Sequence, residues 1–173
     1  MAVLDIYEYG AEILRIKATP VEEVTEDFAI LAENMIQTMY DAKGIGLAAP
    51  QVGESVRLIV VDVSGPEENE NPVIIFNPEV TYEAEPEMYE EGCLSVPGIY
   101  ANVERPAIIS ITGLDIDGDP IKFDKIDGLF ARCILHEIDH LNGVLFVDYL
   151  NDEDKEKYEK ELVKMAKLSQ AKK

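Results

Sequence analysis

Basic residues are scarce in this chain. Its 173 residues hold 15 Lys and Arg against 35 Asp and Glu, a formal net charge of −20 at pH 7. Broad binding to nucleic acid needs clustered cations that neutralise phosphates, so neither that nor sequence-specific readout is expected. Cysteine is almost as sparse, with only Cys93 and Cys133. The two could pair, but in a reducing compartment thiols are more often free, metal-bound or catalytic. Long apolar runs are missing, so no segment is expected to span a bilayer. The start, Met1–Glu8, has no basic stretch followed by an apolar one, which argues against a secretory signal and for a cytoplasmic location. There is no internal repeat and no Gly/Ser-rich linker.

What remains is ordinary for a globular protein: 47% hydrophobic and 29% charged residues, enough to bury a core without disulfides. The charge is uneven. Residues 151–173 carry seven Lys and six acids, so the acidic excess lies in residues 1–150. We therefore expect a catalytic unit over 1–150 and a C-terminal helix over 151–173, part of the same domain or appended to it.

Periodicity predicts a helix over Glu26–Lys43, with Phe28, Leu31, Met35 and Met39 on one face, Thr25 as cap and Gly44 past its end. Arg57–Val63 reads as a buried strand, Ser64–Asn71 as a solvated acidic loop. Val73–Phe76, Val80–Ala84, Val103–Glu104 and Ile108–Gly113 read as further strands. Asp117-Gly118 marks a hairpin turn between Ile111–Ile116 and Ile121–Phe123. The period then changes: Gly128–Leu141 and Asp152–Leu168 are expected helices, with Gly143 as a stop signal and Tyr158, Leu162 and Met165 as an apolar stripe. The pattern implies an α+β fold. An antiparallel or mixed sheet would pack on a central metal-bearing helix, with further helices near the N-terminus and at the C-terminus.

Both histidines of the chain fall in one string, His136-Glu137-Ile138-Asp139-His140. Residues four apart share a helical face, so both imidazoles can reach one metal, with the Glu placed as general base. Two randomly scattered histidines would be four apart about once in a hundred chains, before the Glu is required. Catalytic sites of this kind take three protein ligands and keep one position open. A third His six residues after the second would mark one protease class, but Phe146 stands there. Glu153, Glu156, Glu159 and Glu161 lie downstream, yet alternate with Lys as on a solvated face. Cys93, in Glu90-Glu91-Gly92-Cys93-Leu94-Ser95-Val96-Pro97-Gly98, is the better candidate. On the residues alone, a small buried hydrophobe is the competing reading. Asp139 points off the His136–His140 face and reads either as a helix-anchoring carboxylate or as a surface charge.

Three segments together resemble the peptide deformylase family: Gly44-Ile45-Gly46-Leu47-Ala48-Ala49-Pro50-Gln51-Val52-Gly53, Glu91-Gly92-Cys93-Leu94-Ser95 and His136-Glu137-Ile138-Asp139-His140-Leu141. Their order and spacing match too, over about Val3 to Leu150. The resemblance implies removal of the formyl group from the N-terminal methionine of newly made proteins, so N-formylmethionyl nascent peptides are the expected partners. It implies Cys93, His136 and His140 as metal ligands and Glu137 as the acid/base residue. Gln51 and the backbone N–H of Leu94 would be oxyanion donors. Gly44, Ile45, Gly46 and Cys133 would bind substrate, Gly46 near the peptide backbone and Ile45 and Cys133 lining the methionine pocket. Fe(II) is the implied metal, with Zn, Ni or Co able to replace it after purification.

The chemistry agrees with these roles. Metal coordination brings the pKa of water towards neutrality, an adjacent carboxylate can move its proton, and fixed N–H donors stabilise charge on the formyl oxygen. The loop Gly44–Gly53 lacks the G-K-[ST] ending of a phosphate loop. Two positions depart from the family pattern. Leu135 stands where glutamine usually precedes the first His, and Tyr100 where some relatives carry a basic substrate-contacting residue. Two other readings compete: a different H-E-x-x-H hydrolase that would not need Cys93, and a closed structural metal site, for which no fourth ligand is evident. The Lys-rich C-terminal helix is an expected ribosome contact, a solvated helix packed through Tyr158, Leu162 and Met165 being the alternative.

Overall fold

The computed structural model describes residues 2–65 and 69–171. Most of the loop expected at Ser64–Asn71 is covered, but its Pro66–Glu68 lie outside those residues, as do Lys172 and Lys173.

Helix α1 spans Glu26–Asp41, and the Thr25 side chain accepts from the Phe28 N–H at 3.4 Å as its cap. Its end differs in detail from the expectation. Lys43, not Gly44, takes the left-handed conformation at φ 59°. The Lys43 N–H meets the Tyr40 carbonyl and the Gly44 N–H the Met39 carbonyl, which satisfies the last turn. Gly44 has another role: a Cβ there would sit 2.7 Å from Leu94 Cδ1, so the bare backbone lets this loop press against the Cys93 hairpin.

Five strands follow: β1 Gly46–Ala48, β2 Leu58–Val61, β3 Val73–Cys93, β4 Val96–Leu114 and β5 Pro120–Ile126. They form one antiparallel sheet in sequence order, among the described residues. Strand β2 shows why the centre of the run RLIVVDV, Leu58–Val61, is apolar throughout. Ile59 and Val61 face a cluster with Ile134, Leu135 and Ile138, while Leu58 and Val60 face Ala32, Met35 and Met39 of α1. Both faces of the strand are covered, and each buried aliphatic side chain contributes about 1.5–3 kcal/mol.

The strands expected as four short pieces between residues 73 and 113 are two long ones, β3 and β4, joined at a tight turn where Cys93 pairs with Val96. Prolines and exposed glutamates disguise this hairpin. Pro86 pairs with Pro106, and register shifts at Phe76/Glu79, Val80/Tyr82 and Glu91/Cys93 absorb the irregularities. The turn at Asp117-Gly118 is as expected, with Gly118 at φ 82°.

Helix α2 spans Gly128–Leu141 and ends at Gly143, φ 76°, whose N–H meets the His140 carbonyl while the Val144 N–H meets that of Asp139. Helix α3 spans Asp152–Ala171, longer than expected by one turn, with Asn151 Oδ1 capping the Asp154 N–H at 2.8 Å. Its stripe of Tyr158, Leu162 and Met165 packs on a third cluster that includes Val96, Ile99, Leu145 and Phe146.

Candidate metal centre and substrate cleft

Helix α2 carries His136 and His140 one turn apart, and the β3–β4 turn carries Cys93 to meet them. The three ligand atoms lie within 4.8 Å of one another, with Cys93 Sγ 3.3 Å from His140 Nε2. Among the described residues, the other cluster of metal-binding type is Asp115, Asp117 and Asp119, an exposed turn. Glu153, Glu156, Glu159 and Glu161 are all exposed on α3 and join no such cluster.

Glu91 orients the first histidine. His136 Nδ1 lies 2.8 Å from Glu91 Oε1, and the same carboxylate accepts from Arg105 Nε at 2.6 Å, Arg105 Nη2 at 2.9 Å and Arg132 Nη1 at 2.7 Å. Burial alone would raise the Glu91 pKa, but the bonds from His136 and Arg105 outweigh it and hold the carboxyl at about 2. An ionised carboxylate cannot donate, so the shared proton belongs to His136 Nδ1, which leaves Nε2 as the nitrogen a metal would take. Burial would lower the His136 pKa, but its contacts with Cys93 and Glu91 outweigh that and raise it. Burial lowers the pKa of His140, which keeps that imidazole neutral.

Asp139 is an anchor. Its Oδ2 accepts from Arg105 Nη1 at 2.8 Å and from the Tyr149 hydroxyl at 2.9 Å. Arg105, on β4, thus ties the Glu91 carboxylate of β3 to the Asp139 carboxylate of α2. Leu135 is buried in the core cluster facing β2 and adds packing there.

Glu137 is buried, with Oε1 3.8 Å from His136 Nε2, and burial pushes its carboxyl up to about 7. Glu137 Oε2 and His140 Nδ1 are the buried side-chain polar atoms without a hydrogen-bond partner among the described residues. Gly46 makes room for the carboxylate: a Cβ there would sit 2.5 Å from Cys133 Sγ and 3.0 Å from Glu137 Oε1. The Cys133 thiol donates towards the Ile45 carbonyl at 3.5 Å, and burial raises its pKa.

Gln51, on a short 3-10 turn after β1, is buried with its amide fixed at both ends. Oε1 accepts from the Ala48 N–H at 2.9 Å, so Nε2 faces Ser95 Oγ at 3.0 Å and Cys93 Sγ at 3.7 Å. Together these residues line a cleft of about 420 Å³, the size of a small-ligand site. Its walls include Gly44, Ile45, Gly46, Gln51, Cys93 and Leu94, and its floor Cys133, His136 and Glu137. Every residue expected at the site is therefore brought to one place. Glu91, Arg105, Arg132 and Ser95 join the site only through the fold. Glu91 and Ser95 were within the second motif, while Arg105 and Arg132 carried no local signal.

A profile of the polypeptide deformylase family matches residues 3–156. The chain belongs to the peptide deformylase family. A peptide deformylase of Psychrobacter arcticus is 52% identical over 152 residues, covering 87% of this chain and 81% of its own. The crystal structure of a peptide deformylase from Legionella pneumophila superposes with a TM-score of 0.88 at 42% identity, covering 99% of both chains. That of a peptide deformylase from Synechococcus elongatus in complex with actinonin gives 0.86 at 44% identity, over 91% of this chain and 87% of that one. The α+β fold, antiparallel sheet included, is that of the family's solved structures, and membership makes the chain a hydrolase. Among the described residues no helix is long and apolar enough to cross a membrane.

Proposed function

We propose that the chain removes the formyl group from the N-terminal methionine of newly made proteins, with a divalent metal held by Cys93, His136 and His140. The observation that carries this reading is the convergence of one thiol and two imidazoles beside a buried glutamate at the floor of a cleft. The donor set fits such an ion, since sulfur and imidazole nitrogen suit ferrous iron and zinc. When bound there, the ion supplies a Lewis acid and lowers the pKa of water towards neutrality.

The chain's own residues supply the rest. Glu137 takes the proton of the attacking water and passes it to the methionine nitrogen as the carbon–nitrogen bond breaks, giving formate and a free amine. Gln51 Nε2 and the Leu94 N–H donate to the formyl oxygen as it gains negative charge. Ser95, holding the Gln51 amide at 3.0 Å, keeps that donor in place. Glu91 holds His136 in the tautomer a ligand needs. Gly44, Ile45 and Gly46 run beside the peptide, and Ile45 with Cys133 accepts the methionine side chain.

Iron is the resident metal in this reading, Zn, Ni and Co being replacements. A thiolate ligand at an open site makes the iron form oxygen-sensitive, so activity should decay faster in air than under argon. Equal half-lives would count against iron. The substrate class calls for a cytoplasmic location and for contact with the ribosome, which we assign to the Lys-bearing outer face of α3. Residues 1–150 form the catalytic unit, and the segment 151–173, which contains α3, is added to it. Truncation after Leu150 should weaken co-sedimentation with ribosomes, and unchanged co-sedimentation would remove that role.

The reaction is tested by incubating iron-loaded protein, without oxygen, with a formyl-methionyl tripeptide and with its acetyl counterpart. Formate release from the first and no acetate from the second is expected. Equal turnover of both, or none of the first with metal bound, would overturn the assignment.

A further inference from the structure

The wall of the cleft formed by Val96, Pro97, Gly98, Ile99 and Tyr100 has a second side. Val96, Ile99 and Ala101 are buried in the cluster on which Tyr158, Leu162 and Met165 of α3 pack, and Cys93 touches the same cluster. The terminal helix therefore lies directly behind the strand segment that faces substrate. One polar contact crosses from it to that segment: the Tyr158 hydroxyl donates to the Tyr100 carbonyl at 3.0 Å. Tyr100 is 58% exposed, and its ring lies across Gly92, where a Cβ would come within 2.6 Å of Tyr100 Cε1. Gly92 immediately precedes Cys93. The far end of α3 is held separately. Gly10 crosses Ala166 so closely that a Cβ on it would lie 2.4 Å from Ala166 Cα, and Ser169 Oγ donates to the Glu8 carbonyl at 3.2 Å.

We propose that α3 is a positioning element for the substrate. Tyr158, acting through the Tyr100 carbonyl, sets where the Tyr100 ring stands in the cleft and so how the peptide beyond the formylmethionine fits. Tyr158 touches no reacting atom; it fixes the backbone that carries a cleft-lining side chain. The substrate named here rests on the deformylase reading, whereas the brace itself rests on contacts within the chain.

The test uses the full-length, metal-loaded protein and Tyr158→Phe, with two substrates: a formyl-methionyl tripeptide, which extends past the methionine, and formyl-methionine amide, which does not. Losing one neutral hydrogen bond should raise KM for the tripeptide about fourfold and leave kcat alone. The short substrate should be unaffected. In a Tyr100→Ala background, Tyr158→Phe should change nothing further, because the group it positions is gone. Amide hydrogen exchange over residues 96–101 should quicken in Tyr158→Phe, with Tm unchanged. An unaltered KM for the tripeptide, the same rise in the Tyr100→Ala background, or a joint fall of kcat on both substrates with Tm would overturn the proposal. Exchange over 96–101 equal in both proteins would overturn it too, and that arm reads the brace even if neither substrate is turned over, an outcome that would sink the deformylase reading instead.

Discussion

Helices α2 and α3 differ in what holds them. Ten of the fourteen residues of α2 are buried, among them Arg132, His136, Glu137 and His140, whereas α3 buries none of its twenty fully. A buried polar side chain needs partners, so α2 is fixed by a network of charges and hydrogen bonds as much as by its apolar face. Helix α3 rests on a partly buried stripe, the hydroxyls of Tyr158 and Ser169 and a close crossing with Gly10, with its charges in water. The lesson is that the same secondary structure carries two kinds of information. In α2 a single substitution can remove a ligand or leave a charge unpaired; in α3 it trims an interface.

This contrast can be broken or sharpened by substitution. The largest effect belongs to Cys93→Ala, which should abolish both metal retention and formate release, measured by elemental analysis and assay. Retained metal and activity would break the account by returning the chain to a hydrolase with another third ligand. Next comes Glu91→Gln. It leaves Arg105 and Arg132 without their shared charge partner, and breaking such a buried pair costs about 3–5 kcal/mol, read as a lower urea midpoint. An unchanged midpoint would mean that the network does not hold α2.

Gln51→Ala should reduce kcat about a hundredfold at unchanged metal content, the usual size for losing one oxyanion donor. A smaller effect belongs to Leu162→Ala on α3, about 1 kcal/mol because the side chain is only half-buried, with kcat unaltered. If Leu162→Ala cost as much as Glu91→Gln, the distinction between the two helices would fall.

A further test lies outside both helices. Burial would raise the Asp62 pKa, but bonds from Ser64, Tyr40 and the Asn71 N–H hold it at about 2, below the ordinary 3.8. A depressed folded pKa contributes stability above the unfolded value, and that contribution is lost as pH falls from about 4 towards 2. Asp62→Asn should therefore flatten the stability profile across that window. A profile as steep as that of the unaltered chain would show that Asp62 is not its source.

Much of the site was legible because its chemistry constrains local sequence. Two histidines at helical spacing around a glutamate announce a metal, and Gly143 announces where that helix stops. Cys93 was legible only beside those residues, since a cysteine in a Gly/Pro-rich turn can also be a small core residue. Glu91, Arg105 and Arg132 stayed hidden because their partners are 14 to 45 residues away, brought together by the β3–β4 hairpin and by α2 packed against it. Along the hairpin the local signal breaks into pieces. Its prolines and runs of exposed Glu interrupt the alternation that marks a strand, and pairing along its length restores what local propensity denies. Lys43 took the left-handed position at the end of α1 although Gly44 was the obvious choice, because Gly44 was needed against Leu94.

The central claim is that Glu137 moves the proton in hydrolysis of a formyl-methionyl peptide. The direct measurement is formate release by anaerobically iron-loaded protein and by Glu137→Ala at matched metal content. The account predicts formate from the unaltered chain and none above background from the variant. Release at equal rates from both, with metal bound in each, would contradict it.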